Sequence, residues 1–297
     1  MILEVAMLPS QVRDGDQKLC VIIDVLRAGT SLACMADAGV RQVVIASDPL
    51  TARQLASEIG TNAILCGETG GRKPDDFDLG NSPGPYLNQQ LLARDIVFCS
   101  SNGSRAMHLL DGAPAIMAGA LCNATAVATA AVELARLNNV DICLVASGDN
   151  HGARFSLEDV FCAGLMVESI LRSIGGTENL VSIESLMNGD EPSERMALDE
   201  SAIAANRIFR SYRDAPDNRG KTLTETSQSM MLDSLSARSL HGWGFGEDVE
   251  LCSRVDSSTS VMHVTNQGGR LIASPFLGPD APTRKQGHID ADRSIAF

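Results

Sequence analysis

Residues 19–38, LCVIIDVLRAGTSLACMADA, carry the clearest indication of the fold class. Its first part is an unbroken apolar run that ends at Asp24, which is typical of a strand buried on both faces of a sheet. Its second part continues as a helical stretch from Thr30 onward. A strand followed directly by a helix is the repeating unit of α/β proteins. We therefore predict a strand over 19–24 and a helix over 30–38.

The same alternation recurs along most of the chain and predicts parallel strands joined by crossover helices. Further strands are predicted at 42–46, 63–66, 96–99, 115–118, 141–146 and, in a mixed final region, 260–266. Further helices are predicted at 50–59, 103–110, 124–136, 157–174 and, in a polar region, around 198–212. The expected fold class is α/β, a layered α/β/α structure with a mostly parallel central sheet.

A faint internal repeat bears on domain organisation. DVLRAGTS, residues 24–31, resembles GALCNATA, residues 119–126, and each precedes a helix and a strand. One interpretation is two similar α/β halves, 1–112 and 113–277; the other is two βαβ units that meet the same packing demands. The polar tail, 278–297, is rich in Pro, Gly and charge, and we expect it to lie outside the catalytic unit.

Composition narrows the classes of function. The formal net charge is −13 and aromatic residues make up 4% of the chain, which argues against a nucleic-acid partner. No apolar run reaches about 18 residues, so we expect no membrane span. The start, MILEVAMLPS, lacks the basic region of a signal peptide, and the eight Cys show no CxxC pair. These features predict a cytoplasmic protein without a zinc site, and they leave a homo-oligomer open.

Polar residues follow the first strand at the edge where open α/β sheets bind ligands. Asp24 ends the strand and could hold Mg²⁺, which prefers oxygen ligands. Arg27 follows it, and Thr30 and Ser31 stand at a helix start, where free N–H groups attract anions. The alternative is that Asp24 is a turn residue and that a hydroxyl group only caps the helix.

A long Gly- and Pro-rich loop, residues 66–83, carries Glu68, Arg72 and Lys73. Loops of this length in compact domains are usually functional or disordered. Carboxylates mixed with cations suit joint binding of metal and phosphate. The alternative is an exposed loop with solvated charges.

A third segment, FCSSNGSRA at 98–106, runs from a strand into a helix. Backbone N–H groups around Asn102, Gly103 and Ser104 could form an anion nest, with Arg105 as a forked phosphate clamp. A capped turn is the plain alternative. The spacing from Cys99 to Arg105 also fits C-x5-R of cysteine-nucleophile phosphatases, a pattern that is weak by itself.

The fourth segment, residues 146–164, places several charges at a loop and a helix start. Ser156 followed by Asp159 predicts a helix cap. Glu158 or Asp159 as metal ligand or general base is the functional alternative. Arg154 is a candidate for substrate binding, and His151 is interpreted as an exposed loop residue.

Together, these segments resemble the 2-phosphosulfolactate phosphatase family. The matching stretches are VIIDVLRAGTSL, GETGGRKPDDFDLGNSP, SSNGSRA, FSLEDVFCAG and SARSLHGWGFGEDVELCSRVD, in this order between residues 21 and 256. The resemblance implies an α/β phosphatase that requires Mg²⁺ and releases sulfolactate and phosphate. It differs at Gly29, inserted before Thr30, and at Ala237, where the family commonly has Gly.

The leading hypothesis is therefore metal-assisted hydrolysis of 2-phosphosulfolactate, a small anionic phosphate ester. Asp24, Glu68 and Asp159 are the predicted catalytic and metal-binding residues. A phosphatase of another small phospho-acid is the second hypothesis, and a non-enzymatic binder of an anionic metabolite is the third. The carboxylates beside the cations favour the enzyme, because an anion binder gains nothing from them.

Overall fold

The computed structural model describes residues 1–60, 63–87, 91–188 and 195–278. Its strands are β1 Ile2–Ala6, β2 Lys18–Ile23, β3 Gln42–Ile45, β4 Ala63–Gly67, β5 Asp95–Cys99, β6 Ala115–Gly119, β7 Asp141–Ala146, β8 Ala197–Leu198, β9 Met262–Gln267 and β10 Arg270–Pro275. Its α-helices are α1 Ala28–Asp37, α2 Pro49–Ile59, α3 Pro83–Leu87, α4 Gly103–Leu109, α5 Ala124–Asn138, α6 Leu157–Ser173, α7 Ile183–Met187, α8 Glu200–Arg213, α9 Leu223–Met231, α10 Leu235–Gly242 and α11 Gly246–Cys252.

The strands form one sheet in the order β4-β5-β3-β10-β9-β6-β2-β7-β1-β8. Six of the neighbouring pairs are parallel, and the three antiparallel pairs all involve the β9–β10 hairpin. The prediction of a layered α/β fold with a mostly parallel sheet is confirmed. None of the helices in the described ranges has the length and apolar character needed to cross a bilayer.

The central strands explain why the sheet is covered on both faces. Successive side chains of a strand point to opposite faces. In β2, Leu19, Val21 and Ile23 join an apolar cluster with α5, α6 and α8, whereas Cys20 and Ile22 join a second cluster with α1 and α4. The near-continuous apolar run of this strand therefore supplies both layers of the core.

The hairpin of β9 and β10 connects two parallel groups of strands. β10 pairs with β3 and β9 pairs with β6. Gly268 and Gly269 form its turn, and both have positive φ, 63° and 85°, as a tight hairpin turn requires. The strand expected at 260–266 corresponds to β9, whereas β10 was not anticipated, and neither were β1 and β8.

The structure does not decide between the two interpretations of the internal repeat. β2, from the first predicted half, lies between β6 and β7 of the second half, and all strands share one sheet. The division into 1–112 and 113–277 stays a prediction. Of the tail at 278–297, residues 279–297 lie outside the described residues.

Candidate active site

A cavity of about 380 Å³ opens at the carboxyl edge of the parallel strands. It lies where β2, β4, β5 and β7 end, the edge at which the sequence predicted the four loops to meet. Four buried acidic side chains face it, namely Asp24, Glu68, Glu158 and Asp159. The fold therefore brings the three predicted catalytic residues, Asp24, Glu68 and Asp159, into one cavity. Glu158 lines the same cavity.

Asp24 is fixed at the end of β2 by two backbone donors. Its Oδ1 accepts a hydrogen bond from Ala28 N at 3.0 Å, and its Oδ2 accepts one from Gly103 N at 2.9 Å. Burial raises the pKa of Asp24 to about 6, against the lowering effect of these N–H groups, and the negative charge of Glu68 adds to the rise. The carboxyl group thus has a fixed position and binds a proton more readily than an ordinary aspartate.

Asp159 occupies the first turn of α6. Its Oδ1 accepts from Val25 N at 2.9 Å, and its Oδ2 accepts from Ser147 Oγ at 3.1 Å and Gly148 N at 3.2 Å. Burial, followed by the charge of Asp24, raises the pKa of Asp159 well above its ordinary value. The predicted cap is confirmed, because Ser156 Oγ accepts from Asp159 N at 3.4 Å.

Glu68 closes the loop that follows β4. Its Oε2 accepts from Gly71 N at 2.7 Å and from Ser101 Oγ at 3.0 Å, and its Oε1 accepts from Ser101 N. On the other side of the cavity, Glu158 Oε2 accepts from Ser234 Oγ at 2.7 Å. Each carboxylate keeps lone pairs that these donors do not use.

Arg27 is a buried cation at the base of the cavity, 3% exposed. Its Nη1 lies 2.6 Å from Asp248 Oδ2, and its Nη2 donates to Gly71 O at 2.7 Å. The guanidinium group also lies over the ring of Phe245, 4.5 Å from the centroid. The Leu26–Arg27 peptide bond is cis.

The mouth of the cavity is formed by the loop after β7. Arg154 is exposed and pairs with Asp149. His151 is exposed, as expected, and its backbone N donates to Asn102 Oδ1 at 2.9 Å. Arg154 and Asn102, two of the predicted substrate-binding residues, both line the cavity.

The hydroxyl groups of Thr30 and Ser31, which were predicted to bind an anion, make hydrogen bonds inside the fold instead. Thr30 Oγ1 donates to Val25 O and Ser31 Oγ donates to Asn81 O, both at 2.9 Å. Both side chains are fully buried and line no part of the cavity. The geometry gives them a structural role, because Thr30 satisfies a backbone carbonyl of its own turn and Ser31 satisfies one in the loop that contains Asn81.

The other predicted substrate ligands surround the site without lining it. Gly103 supports Asp24, and Ser104 Oγ accepts from Ser100 N at 2.9 Å. Three exposed cations, Arg72, Lys73 and Arg105, are absent from the cavity wall. A phosphate clamp at these three cations stays a prediction that the geometry does not favour.

Sequence reasoning assigned no role to several residues that line the cavity. Asn81 is buried, and its Oδ1 has no hydrogen-bond partner among the described residues. One face of α10 and the residue after it contribute Ser236, Ser239, Leu240 and Trp243. The signal was present in the sequence, because GNSP and SARSLHGW belong to the stretches that carry the resemblance.

Comparison with known proteins supports the resemblance on which the sequence analysis relied. The family model described as 2-phosphosulpholactate phosphatase matches residues 6–267. The chain belongs to this family. Family membership confirms the interpretation of the chain as a phosphoric monoester hydrolase.

Similar relatives cover nearly the whole chain. A protein of Carboxydothermus hydrogenoformans is 28% identical over 272 residues, 92% of this chain and 97% of the relative. One of Cyanothece sp. is 30% identical over 273 residues, 89% of this chain and 96% of the relative. Both are named "Probable 2-phosphosulfolactate phosphatase".

Proposed function

We propose that this protein hydrolyses 2-phosphosulfolactate to sulfolactate and phosphate, with Mg²⁺ as its metal. The family and the names of the relatives support the reaction. The charge balance of the cavity is the observation that supports the metal.

Five carboxylates line the cavity, but only two guanidinium groups do, those of Arg27 and Arg154. Both guanidinium groups are already paired with carboxylates, Asp248 and Asp149. An ester that carries phosphate, sulfonate and carboxylate groups would be repelled by this surface. Such a ligand binds only if a cation enters with it, since like charges at low dielectric repel strongly.

The donor chemistry of the cavity fits Mg²⁺. Asp24, Glu68 and Asp159 offer carboxylate oxygens, and Asn81 Oδ1 is a buried acceptor without a partner. Within the described ranges, no three acidic, His or Cys side chains form a ready-made metal cluster. Mg²⁺ does not need one, because it is usually held by one or two carboxylates, waters and the substrate phosphate. When bound, the ion would neutralise phosphate charge and orient a water molecule.

The residues of the chain supply the proton that the reaction needs. Hydrolysis adds the hydroxyl of water to phosphorus and a proton to the departing ester oxygen. Burial raises the pKa of Asp24 and of Asp159 in the metal-free protein, so whichever of the two does not bind Mg²⁺ can keep its proton. A carboxyl group of this kind can protonate the leaving oxygen, and a neighbouring carboxylate can accept the proton of the attacking water.

A cysteine nucleophile has no support in the geometry. Cys99 is 1% exposed, and burial raises the pKa of its thiol to about 12. The reactive species of such enzymes is the thiolate, which this environment disfavours at neutral pH. Arg105, the other member of the C-x5-R spacing, is exposed outside the cavity.

The test is a phosphate-release assay with 2-phosphosulfolactate and with p-nitrophenyl phosphate, before and after treatment with EDTA. We expect hydrolysis that EDTA abolishes and Mg²⁺ restores. Full activity after thorough chelation would contradict the metal. Activity on p-nitrophenyl phosphate alone would favour a phosphatase of another small phospho-acid, and binding of sulfolactate without any hydrolysis would favour an anion-binding protein.

A further inference from the structure

One wall of the cavity is formed by one face of α10 and by the residue after it. Ser236, Ser239, Leu240 and Trp243 follow each other at i, i+3, i+4 and i+7, so they share one side of the helix. We call these four residues the α10 wall. No charged side chain belongs to it.

The helix is anchored over the cavity at both ends. At its start, the N-cap Ser234 donates to Glu158. At its end, the indole of Trp243 packs on Gly71 so closely that a Cβ there would lie 2.5 Å from the ring. Gly71 in turn contacts both Glu68 and Arg27. The α10 wall therefore runs from the side of Glu158 to the side of Glu68, over about 10 Å at 1.5 Å per residue.

The two serines of the α10 wall carry hydroxyl groups with no partner among the described residues. A helical serine can bond back to a carbonyl of the preceding turn. Ser227 and Ser229 of the neighbouring α9 do so, with Thr224 O and Glu225 O. Ser236 and Ser239 leave their hydroxyl groups free toward the cavity, where they can donate to a ligand.

We propose that the α10 wall binds the non-reacting acid end of the substrate, and that Ser236 and Ser239 donate hydrogen bonds to its sulfonate or carboxylate oxygens. This inference rests on the proposed function. The carboxylate side of the cavity accepts the phosphoryl group together with its cation. The α10 wall itself carries no charged side chain and offers two hydroxyl donors, and Arg27 lies near its Trp243 end through Gly71, so an anion can accept hydrogen bonds there.

Trp243 provides a direct measurement, because it is the only tryptophan of the chain and is 47% exposed at the wall. Sulfolactate and inorganic phosphate are titrated separately in the presence of Mg²⁺, and Trp243 emission is followed. We expect sulfolactate to change the emission and phosphate to leave it nearly unchanged. An equal response to phosphate alone, or no response to sulfolactate, would overturn the assignment.

Variants of the wall complete the test. In the double variant Ser236→Ala/Ser239→Ala, we expect kcat/KM for 2-phosphosulfolactate to fall at least about 100-fold relative to that for p-nitrophenyl phosphate, since two hydrogen bonds to a charged group are lost. Ser239→Thr alone keeps a hydroxyl group and should preserve the ratio. The matched control is Leu235→Ala, at an exposed position of α10 outside the cavity, with unchanged activity expected.

The outcomes separate the two proposals. If wild type cleaves the esters and the ratio is the same in the double variant, the α10 wall does not bind the acid end and this inference fails. If wild type cleaves neither ester, the proposed function fails, and the Trp243 titration with sulfolactate still decides whether the wall binds the acid.

Discussion

Replacing Gly103 with alanine would test how strictly Asp24 must be held. A Cβ at position 103 would lie 2.7 Å from Asp24 Oδ2 and 3.1 Å from the Cβ of Ala28. The carboxyl group cannot simply retreat, because it is 5% exposed and its other oxygen is bound to Ala28 N. Either α4 or the Asp24 side chain must move, and the 2.9 Å hydrogen bond from Gly103 N is lost or lengthened.

The size of the effect follows from that bond. A hydrogen bond to a charged group contributes about 1.5–3 kcal/mol. If the loss of this hydrogen bond destabilises the transition state by the full amount, kcat/KM falls about 10- to 150-fold. The overlap itself should lower the free energy of unfolding by about 1–3 kcal/mol, as in other overpacked interiors.

The assay is phosphate release at saturating Mg²⁺, together with thermal unfolding of each variant. Gly112→Ala is the matched control, because a Cβ at Gly112 would meet nothing within 4 Å. We expect the control to behave as wild type in both measurements. A folded Gly103→Ala enzyme with wild-type kcat/KM would refute the reasoning, since it would show that the position of Asp24 does not limit the reaction.

Two further predictions concern residues away from the cavity wall. Cys99→Ser should retain most of the phosphatase activity, because hydrolysis through water needs no thiolate; an inactive but folded variant would restore the cysteine mechanism. Asp48 caps α2 through Leu50 N and Thr51 N, and the hydrogen bond from Thr51 N is the main cause that lowers its pKa from 3.8 to about 2. Its stabilising effect is therefore complete above pH 4 and lost as the pH falls toward 2. Asp48→Ala should cost about 1 kcal/mol of unfolding free energy at neutral pH. Asp48→Asn should keep the cap but remove that pH dependence, as urea unfolding between pH 2 and 5 would measure.

Seven strands were predicted to within two residues, whereas β1 and β8 were not predicted. The strand expected at 141–146 is β7 Asp141–Ala146, and the one expected at 19–24 is β2 Lys18–Ile23. Buried parallel strands are short apolar runs between polar turns, so their limits are visible locally. The hairpin partner β10 was not anticipated, although Gly268-Gly269 between two strand-like runs is a hairpin signal.

Only some of the residues that line the cavity could be predicted from the sequence. Asp24, Glu68 and Asp159 stand at the ends of strands or at helix starts, and parallel strands bring such positions to one edge. Whether a hydroxyl or guanidinium group then faces the cavity depends on its rotamer and its partners. Thr30 and Ser31 turn inward to backbone carbonyls, and that choice leaves no trace in the order of residues.

The α/β class, the limits of the central strands and the acidic residues at their ends follow from local periodicity and chain connectivity, so they could be predicted from the order of residues. Tertiary packing set which side chains share the cavity. It inserted the β9–β10 hairpin between β3 and β6 and brought α10, more than 160 residues after Glu68, across the opening. Contacts between distant segments depend on how apolar faces pack together in space, and no local pattern of residues encodes that arrangement.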